Sequence, residues 1–166
     1  VAVRRLVKPN HISLPLEIVW WIVTAIVTFL IVYPILDNMV KFQFLYANIL
    51  FIVIFITYSR FIFSLKHSFL AYWQWVKFTL IFLSIPLVFK LVEFIFDFQS
   101  FLDNEGLQSF SSYFRDGISF KQQQNLLNYM KREYIFFGVG SVIVAIILPF
   151  RMLISFWRVY NKTGNV

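Results

Sequence analysis

The sequence predicts an all-α, polytopic integral membrane protein with four transmembrane helices and an amphipathic helical hairpin between the third and the fourth. Hydrophobic residues make up 60% of its 166 residues and charged residues only 14%, whereas a soluble domain is about 45–50% apolar and about 25% charged. The charges also leave four apolar stretches long enough for the roughly 20 residues that cross a hydrocarbon core. We expect a single domain over residues 1–166, with spans at about 16–36, 43–63, 76–98 and 134–157.

The first stretch follows two arginines, Arg4 and Arg5, as the apolar part of a secretory signal peptide would. Its apolar run is longer than the about 7–15 residues of such a signal, and no small-x-small cleavage site follows it. We therefore expect it to be an uncleaved first span.

The distribution of Lys and Arg predicts the threading, because bases near the ends of spans favour the cytoplasmic side. With both termini inside, the inner segments carry nine bases and the outer segments five. The inner bases are Arg4, Arg5, Lys8, Arg60, Lys66, Lys77, Arg151, Arg158 and Lys162, and the outer ones are Lys41, Arg115, Lys121, Lys131 and Arg132. We expect both termini to be cytoplasmic, residues 98–133 to be outside, and the membrane to be a bacterial cytoplasmic (inner) membrane.

The net charge of +7 could indicate nucleic-acid binding, since basic patches bind phosphate. Here the bases stand at the predicted inner helix ends beside Trp73, Trp75 and Trp157. Bases and tryptophans together are typical of a membrane interface. We therefore expect the lipid bilayer, and no nucleic acid, as the partner of this charge.

The segment 98–133, between the third and fourth spans, is too long for a simple helix connection. Gly117 can end a first amphipathic stretch, and Ser119 with Gln122 forms a capping box that opens a second. The apolar residues of the two stretches are Leu107, Phe110, Phe114, Phe120, Leu127, Met130 and Tyr134. The pattern predicts a helical hairpin whose apolar face is covered by lipid, by the bundle's own outer ends or by a partner protein.

Two charges, Lys90 and Glu93, interrupt the third span three positions apart, so they lie on one helix face and can pair. Asn48 on the second span and Tyr33 on the first fall at a similar depth. Charges inside a membrane are costly unless they are paired or reach the interface. We expect this face to turn inward and to form a polar lock between helices. The alternative is an ion- or proton-conducting site that uses Glu93.

A second group of charges, Glu17, Arg60 and Arg151, lies near the predicted inner boundary. The three side chains can form an ion-pair cluster there. The alternative is that the two arginines reach lipid phosphate, as long basic side chains near span ends commonly do.

Small residues predict where two spans approach closely, because membrane helices pack tightly where side chains are small. Thr24 and Thr28 form such a stripe on the first span, and Gly138, Ser141 and Ala145 form another on the fourth. In antiparallel threading the two stripes fall level, which predicts that the first and fourth spans are neighbours. A helix of another protein is the alternative partner of either stripe.

Motifs for nucleotide binding, zinc hydrolysis and nucleophilic serine catalysis are missing, and the chain has no cysteine. Both histidines, His11 and His67, fall outside the predicted hydrocarbon. We therefore expect no catalytic residues, no metal and no cofactor. The sequence favours a non-catalytic accessory or scaffold subunit of a larger complex, bound to other membrane protein subunits. The alternative function is a small oligomeric transporter or channel that uses Glu93 and Lys90.

Overall fold

Four long α-helices make up most of the computed structural model, which describes residues 13–65 and 73–160. They are α1 (Ser13–Asn38), α2 (Leu45–Ser64), α3 (Gln74–Asn104) and α4 (Phe120–Tyr160), and a 3-10 helix (Leu107–Tyr113) joins α3 to α4. Each of the four is long and apolar enough to cross a membrane. The all-helical fold and the four long apolar helices are therefore confirmed for the described residues.

The predicted hairpin takes a different form in the structure. Its first arm is the 3-10 helix, and its second arm is the beginning of α4, which runs without a break from Phe120 to Tyr160. The capping box explains the start of α4, since Ser119 N and Oγ both donate to Gln122 Oε1, at 3.1 and 2.9 Å. No Gly or Pro interrupts residues 120–137, so nothing in the sequence ends the helix before the apolar stretch. The 41 residues of α4 make it about 60 Å long.

Helices α2 and α4 form the centre of the bundle, with α1 packed mainly on α2 and α3 packed mainly on α4. Helix α2 packs tightly against α4 at Gly140, where an added Cβ would lie 2.8 Å from the ring of Phe55. At Gly138 an added Cβ would lie 3.1 Å from Ile95 of α3 and 3.3 Å from Phe51 of α2. Because these two residues of α4 have no side chain, α2 and α3 can both pack closely against α4.

The two ends of the bundle differ, and we name them by what they contain. The loop end holds the α1–α2 and α3–α4 connections, and the terminal end holds the beginning of α1 and the end of α4. At the loop end Val40 N donates to Tyr113 O at 2.8 Å, and Arg115 N donates to Asn38 O at 3.0 Å. These backbone hydrogen bonds fasten the α3–α4 connection to the end of α1.

An aromatic cluster fills the loop end beneath this connection. Phe110 of the 3-10 helix is fully buried, and its ring centroid lies 5.7 Å from that of Phe42 and 4.8 Å from that of Phe101. Phe98 and Tyr134 stack at 4.0 Å below it. Of the apolar residues of this segment, the bundle's own end covers Phe110, Leu127, Met130 and Tyr134, whereas Phe120 is 75% exposed.

Candidate functional site

Lys90 and Glu93 pair with each other on α3, as their spacing predicts. Lys90 Nζ donates to Glu93 Oε1 at 2.8 Å, and the ammonium lies 5.0 Å from the ring centroid of Phe94. The side chains are 53% and 54% exposed. The expectation that this face turns inward was wrong. Leu91 is on the buried face of α3, and Glu93 lies about 200° around the helix from it.

Asn48 and Tyr33 do not join the pair, so the predicted cluster of four residues does not form. Asn48 is completely buried, and its Nδ2 donates to Glu133 Oε2 at 2.9 Å. Tyr33 is about half exposed and has its ring beside Phe29 of the same helix. The rotation of each helix about its own axis, and not depth alone, decides which polar residues meet.

Glu133 is a buried residue that the sequence reasoning missed, because it was assigned to the loop outside the span. It is 7% exposed, on α4, and it accepts a hydrogen bond from Asn48 of α2. Glu133 Oε1 and Asn48 Oδ1 have no hydrogen-bond partner among the described residues. The signal for its burial is the stripe of buried residues at helical spacing, Met130, Tyr134, Gly138 and Ser141, which continues beyond the predicted span.

Glu17 and Arg60 form a buried ion pair between α1 and α2 at the terminal end. Arg60 Nη1 donates to Glu17 Oε2 at 2.7 Å, and the side chains of Arg60 and Glu17 are 7% and 10% exposed. The guanidinium also lies 5.4 Å from the ring centroid of Trp20. Arg151, the third predicted member, has Nε donating to the backbone oxygen of Ile62 at 3.2 Å. Two of the three predicted side chains therefore form the ion pair, and the third binds the end of α2.

Lys77 is a second polar residue that the sequence reasoning missed. It is fully buried near the beginning of α3, and its Nζ donates to Ser155 Oγ of α4 at 3.0 Å. Lys77, Ser84, Leu91 and Phe98 recur every seven residues and are all buried. The sevenfold spacing puts the four residues on one face of α3, and their burial identifies it as the face that packs in the bundle.

The predicted small-residue stripes are buried on both helices. Thr24 and Thr28 of α1 and Ser141 and Ala145 of α4 are each at most 7% exposed. Gly138, by contrast, faces α2 and α3. The direct contact of the two stripes stays a prediction.

Several polar contacts link neighbouring helices, and three of them join two buried side chains, at both ends of the bundle. Glu17–Arg60 joins α1 to α2, Asn48–Glu133 joins α2 to α4, and Lys77–Ser155 joins α3 to α4. Within residues 13–65 and 73–160, no three His, Cys, Asp or Glu side chains come together as a metal-binding group. His11 and His67 lie outside the described residues.

Lys90 and Glu93 differ from these contacts, because their pairing links no two helices of the chain. This exposed pair is the candidate functional site. Comparisons of the chain with protein-family models, with curated proteins and with solved structures gave no match.

Proposed function

We propose that the chain is a non-catalytic integral membrane protein that acts as an accessory or scaffold subunit of a larger membrane complex. The observation that carries this proposal is the half-exposed Lys90–Glu93 pair on the outward face of α3. Apolar side chains surround the pair, since Phe89, Val92 and Phe96 are also exposed. A face of this kind is better covered by another protein than by lipid.

The position of the pair along α3 supports this argument. Glu93 lies four residues, or about 6 Å, before Asp97, and Lys90 lies seven residues, or about 10 Å, before it. A charged residue costs about 2.5–3.5 kcal/mol at the centre of a span on insertion scales and less towards its ends, and charged residues within spans usually face protein or a water-filled cavity. Pairing lowers that cost, and a covering protein surface with polar groups lowers it further.

The threading we propose is the one that the bases favour, with both termini in the cytoplasm of a bacterial cell and the α3–α4 connection outside. The prediction is tested with single cysteines in this cysteine-free chain, at Ser112 in the exposed 3-10 helix and at Thr163. Thr163 lies outside the described residues. In intact cells a membrane-impermeant maleimide is expected to label position 112 only. Equal labelling of both positions, or labelling of position 163 alone, would refute this threading.

The accessory-subunit proposal predicts that α3 contacts protein where a matched lipid-facing position does not. A photo-crosslinking residue at Val92 of α3 is expected to give protein adducts, because Val92 lies beside the charged pair. The control is Ile147 of α4, whose exposure of 44% is close to the 48% of Val92. Replacing Lys90 and Glu93 together by leucine is expected to reduce the Val92 adducts several-fold. Lipid adducts alone at both positions would contradict the proposal.

The transporter or channel remains the second candidate because the same exposed pair could line a path between subunits. Such a path would lie outside the four-helix bundle, since Lys90 and Glu93 face away from α2 and α4. The two functions differ in one substitution. Loss of a proton or ion flux in proteoliposomes on Glu93→Gln, at unchanged thermal stability, would favour transport over the accessory role.

A further inference from the structure

The contact between Asn48 and Glu133 contains two buried oxygens that no hydrogen bond uses. Asn48 is completely buried, and Glu133 is 7% exposed. Asn48 Nδ2 donates to Glu133 Oε2 at 2.9 Å, which leaves Glu133 Oε1 and Asn48 Oδ1 without a partner among the described residues. Both of these oxygens are acceptors when the carboxyl is ionised, so neither can bind the other. An amide facing a carboxylate here is therefore one hydrogen bond short.

The helices packed around Glu133 bring no positive charge to its carboxyl. Helix α1 contains no Lys or Arg, and the 3-10 helix contains no charged residue. The one base of α2, Arg60, lies at the terminal end in its own ion pair. Of the two bases of α3, Lys77 binds α4 at the terminal end and Lys90 pairs on the exposed face.

The bases at the loop end of the bundle do not reach Glu133 either. They are all exposed: Lys41, Arg115, Lys121, Lys131 and Arg132. Neither of the two ion pairs among the described residues includes Glu133. The other titratable side chains at this level are Tyr129 and Tyr134, which lie close to Glu133 on α4, and Asp97 of α3, which lies close to Tyr134. None of these three side chains carries a positive charge.

We propose that Glu133 is a proton-binding site, at which the folded protein holds a neutral carboxylic acid whose Oε1–H donates to Asn48 Oδ1. The acid and the amide then exchange two hydrogen bonds, and both free oxygens have a partner. A water molecule between the two oxygens would also supply hydrogen bonds, but it would leave a buried charge without compensation. Only the proton removes both the missing hydrogen bond and the charge.

Proton binding at Glu133 makes the contact of α2 with α4 depend on pH. Unfolding brings the carboxyl into water, where a glutamate is ionised above about pH 4.3. The folded protein thus holds a proton that the unfolded chain releases to solvent, so stability falls as the pH rises above that value. The fall ends at the pH at which the folded protein itself loses the proton. There the hydrogen bond from Oε1 to Asn48 Oδ1 is lost, and α2 is held less tightly to α4.

Infrared spectroscopy of the full-length chain in lipid vesicles near neutral pH tests the proton directly. The carbonyl stretch of a protonated carboxyl is expected in the wild type and is expected to be lost in Glu133→Gln. The matched control is Glu105→Gln, which changes an exposed glutamate at the same end of the bundle and is expected to leave the band unchanged. Isotope labelling of the glutamate carboxyl carbons in the wild type assigns the band to a glutamate without any substitution.

A second variant tests the partner of the acid. Asn48→Leu removes the amide that donates to Glu133 Oε2. It is expected to keep the protonated-carboxyl band and to shift it to higher wavenumber, because the carbonyl oxygen no longer accepts a hydrogen bond.

The unfolding midpoint, measured against pH in one detergent, tests the coupling to folding. From about pH 5 upwards the wild-type midpoint is expected to fall by roughly 3 °C per pH unit relative to that of Glu133→Gln. The glutamine keeps both hydrogen bonds at every pH because its amide has no proton to release in this range.

Three results would overturn the proposal. A wild type without the protonated-carboxyl band has an ionised Glu133. A band that survives Glu133→Gln, or that Asn48→Leu leaves unshifted, belongs to another acid or to one that Asn48 does not bind. Parallel midpoints of the wild type and Glu133→Gln over the whole pH range would show that folding binds no proton at this position.

Discussion

Replacing Arg60 by methionine is expected to destabilise the bundle by about 3–5 kcal/mol, the range found when one partner of a buried ion pair is removed. The Arg60 guanidinium and the Glu17 carboxylate are both at least nine-tenths buried, with Nη1 and Oε2 2.7 Å apart. Methionine keeps much of the apolar volume of the arginine but removes the charge that compensates Glu17. The contact of the guanidinium with Trp20 is lost as well. The loss is measured as a shift of the unfolding midpoint in detergent.

Two controls separate the ion pair from general packing. Arg151→Met is the matched single substitution, because Arg151 is only partly buried and its Nε binds the neutral backbone oxygen of Ile62. It is expected to cost roughly 1 kcal/mol, as for an ordinary hydrogen bond. Arg60→Met combined with Glu17→Gln is expected to recover part of the loss, since the buried charge is then also removed. Equal effects of Arg60→Met and Arg151→Met would show that the ion pair contributes nothing beyond its hydrogen bond.

The four helices could be predicted from the sequence because a long apolar run leaves few structural alternatives. The local pairing of Lys90 with Glu93 could be predicted for a similar reason, since an i, i+3 spacing on a helix fixes the neighbourhood of the two side chains. Depth showed that Glu17 and Arg60 can meet, because the beginning of α1 and the end of α2 lie at one end of an antiparallel pair, but it did not choose between an ion pair and contact of the arginine with lipid phosphate. These predictions need helix length and direction only.

The depth of a residue in the membrane does not determine how its helix is rotated about its own axis. Asn48 lies at a similar predicted depth to Glu93, yet it faces α4, and Glu93 faces away from the bundle. Burial of Lys77, Ser84, Leu91 and Phe98 marks the packed face of α3 in the structure, but these four residue types share no pattern that would mark it in the sequence.

The beginning of α4 was misplaced for a different reason. The predicted hairpin is separate from the fourth span, which was expected to begin at about 134, whereas no Gly or Pro between Ser119 and Gly138 would end a helix there. The helix therefore continues from the capping box into the apolar stretch. Glu133 was assigned outside the bundle by the same error, and it is buried on α4 beside Asn48.

Asn48 and Glu133 give the second large effect, and two nearly isosteric substitutions are expected to act in opposite directions. The pair has one hydrogen bond, from Asn48 Nδ2 to Glu133 Oε2, and two oxygens without partners. Glu133→Gln supplies an amide that can donate to Asn48 Oδ1 and still accept from Asn48 Nδ2. It is expected to keep or raise stability. Asn48→Asp removes the only donor and brings two carboxyl groups together, and it is expected to cost about 3 kcal/mol.

The double substitution Asn48→Leu with Glu133→Leu shows whether the cost comes from unsatisfied polar groups. Asn48→Leu alone leaves the buried Glu133 carboxyl without its hydrogen-bond donor and is expected to cost about 1–3 kcal/mol. With both groups apolar, no buried polar atom is left unpaired, so the double variant is expected to be more stable than Asn48→Leu alone. The unfolding midpoints of these four variants and of Glu133→Leu alone, measured in one detergent, test this order. If the two leucine costs simply added, or if Glu133→Gln were as harmful as Asn48→Asp, the Asn48–Glu133 contact would not be what joins α2 to α4 at this level.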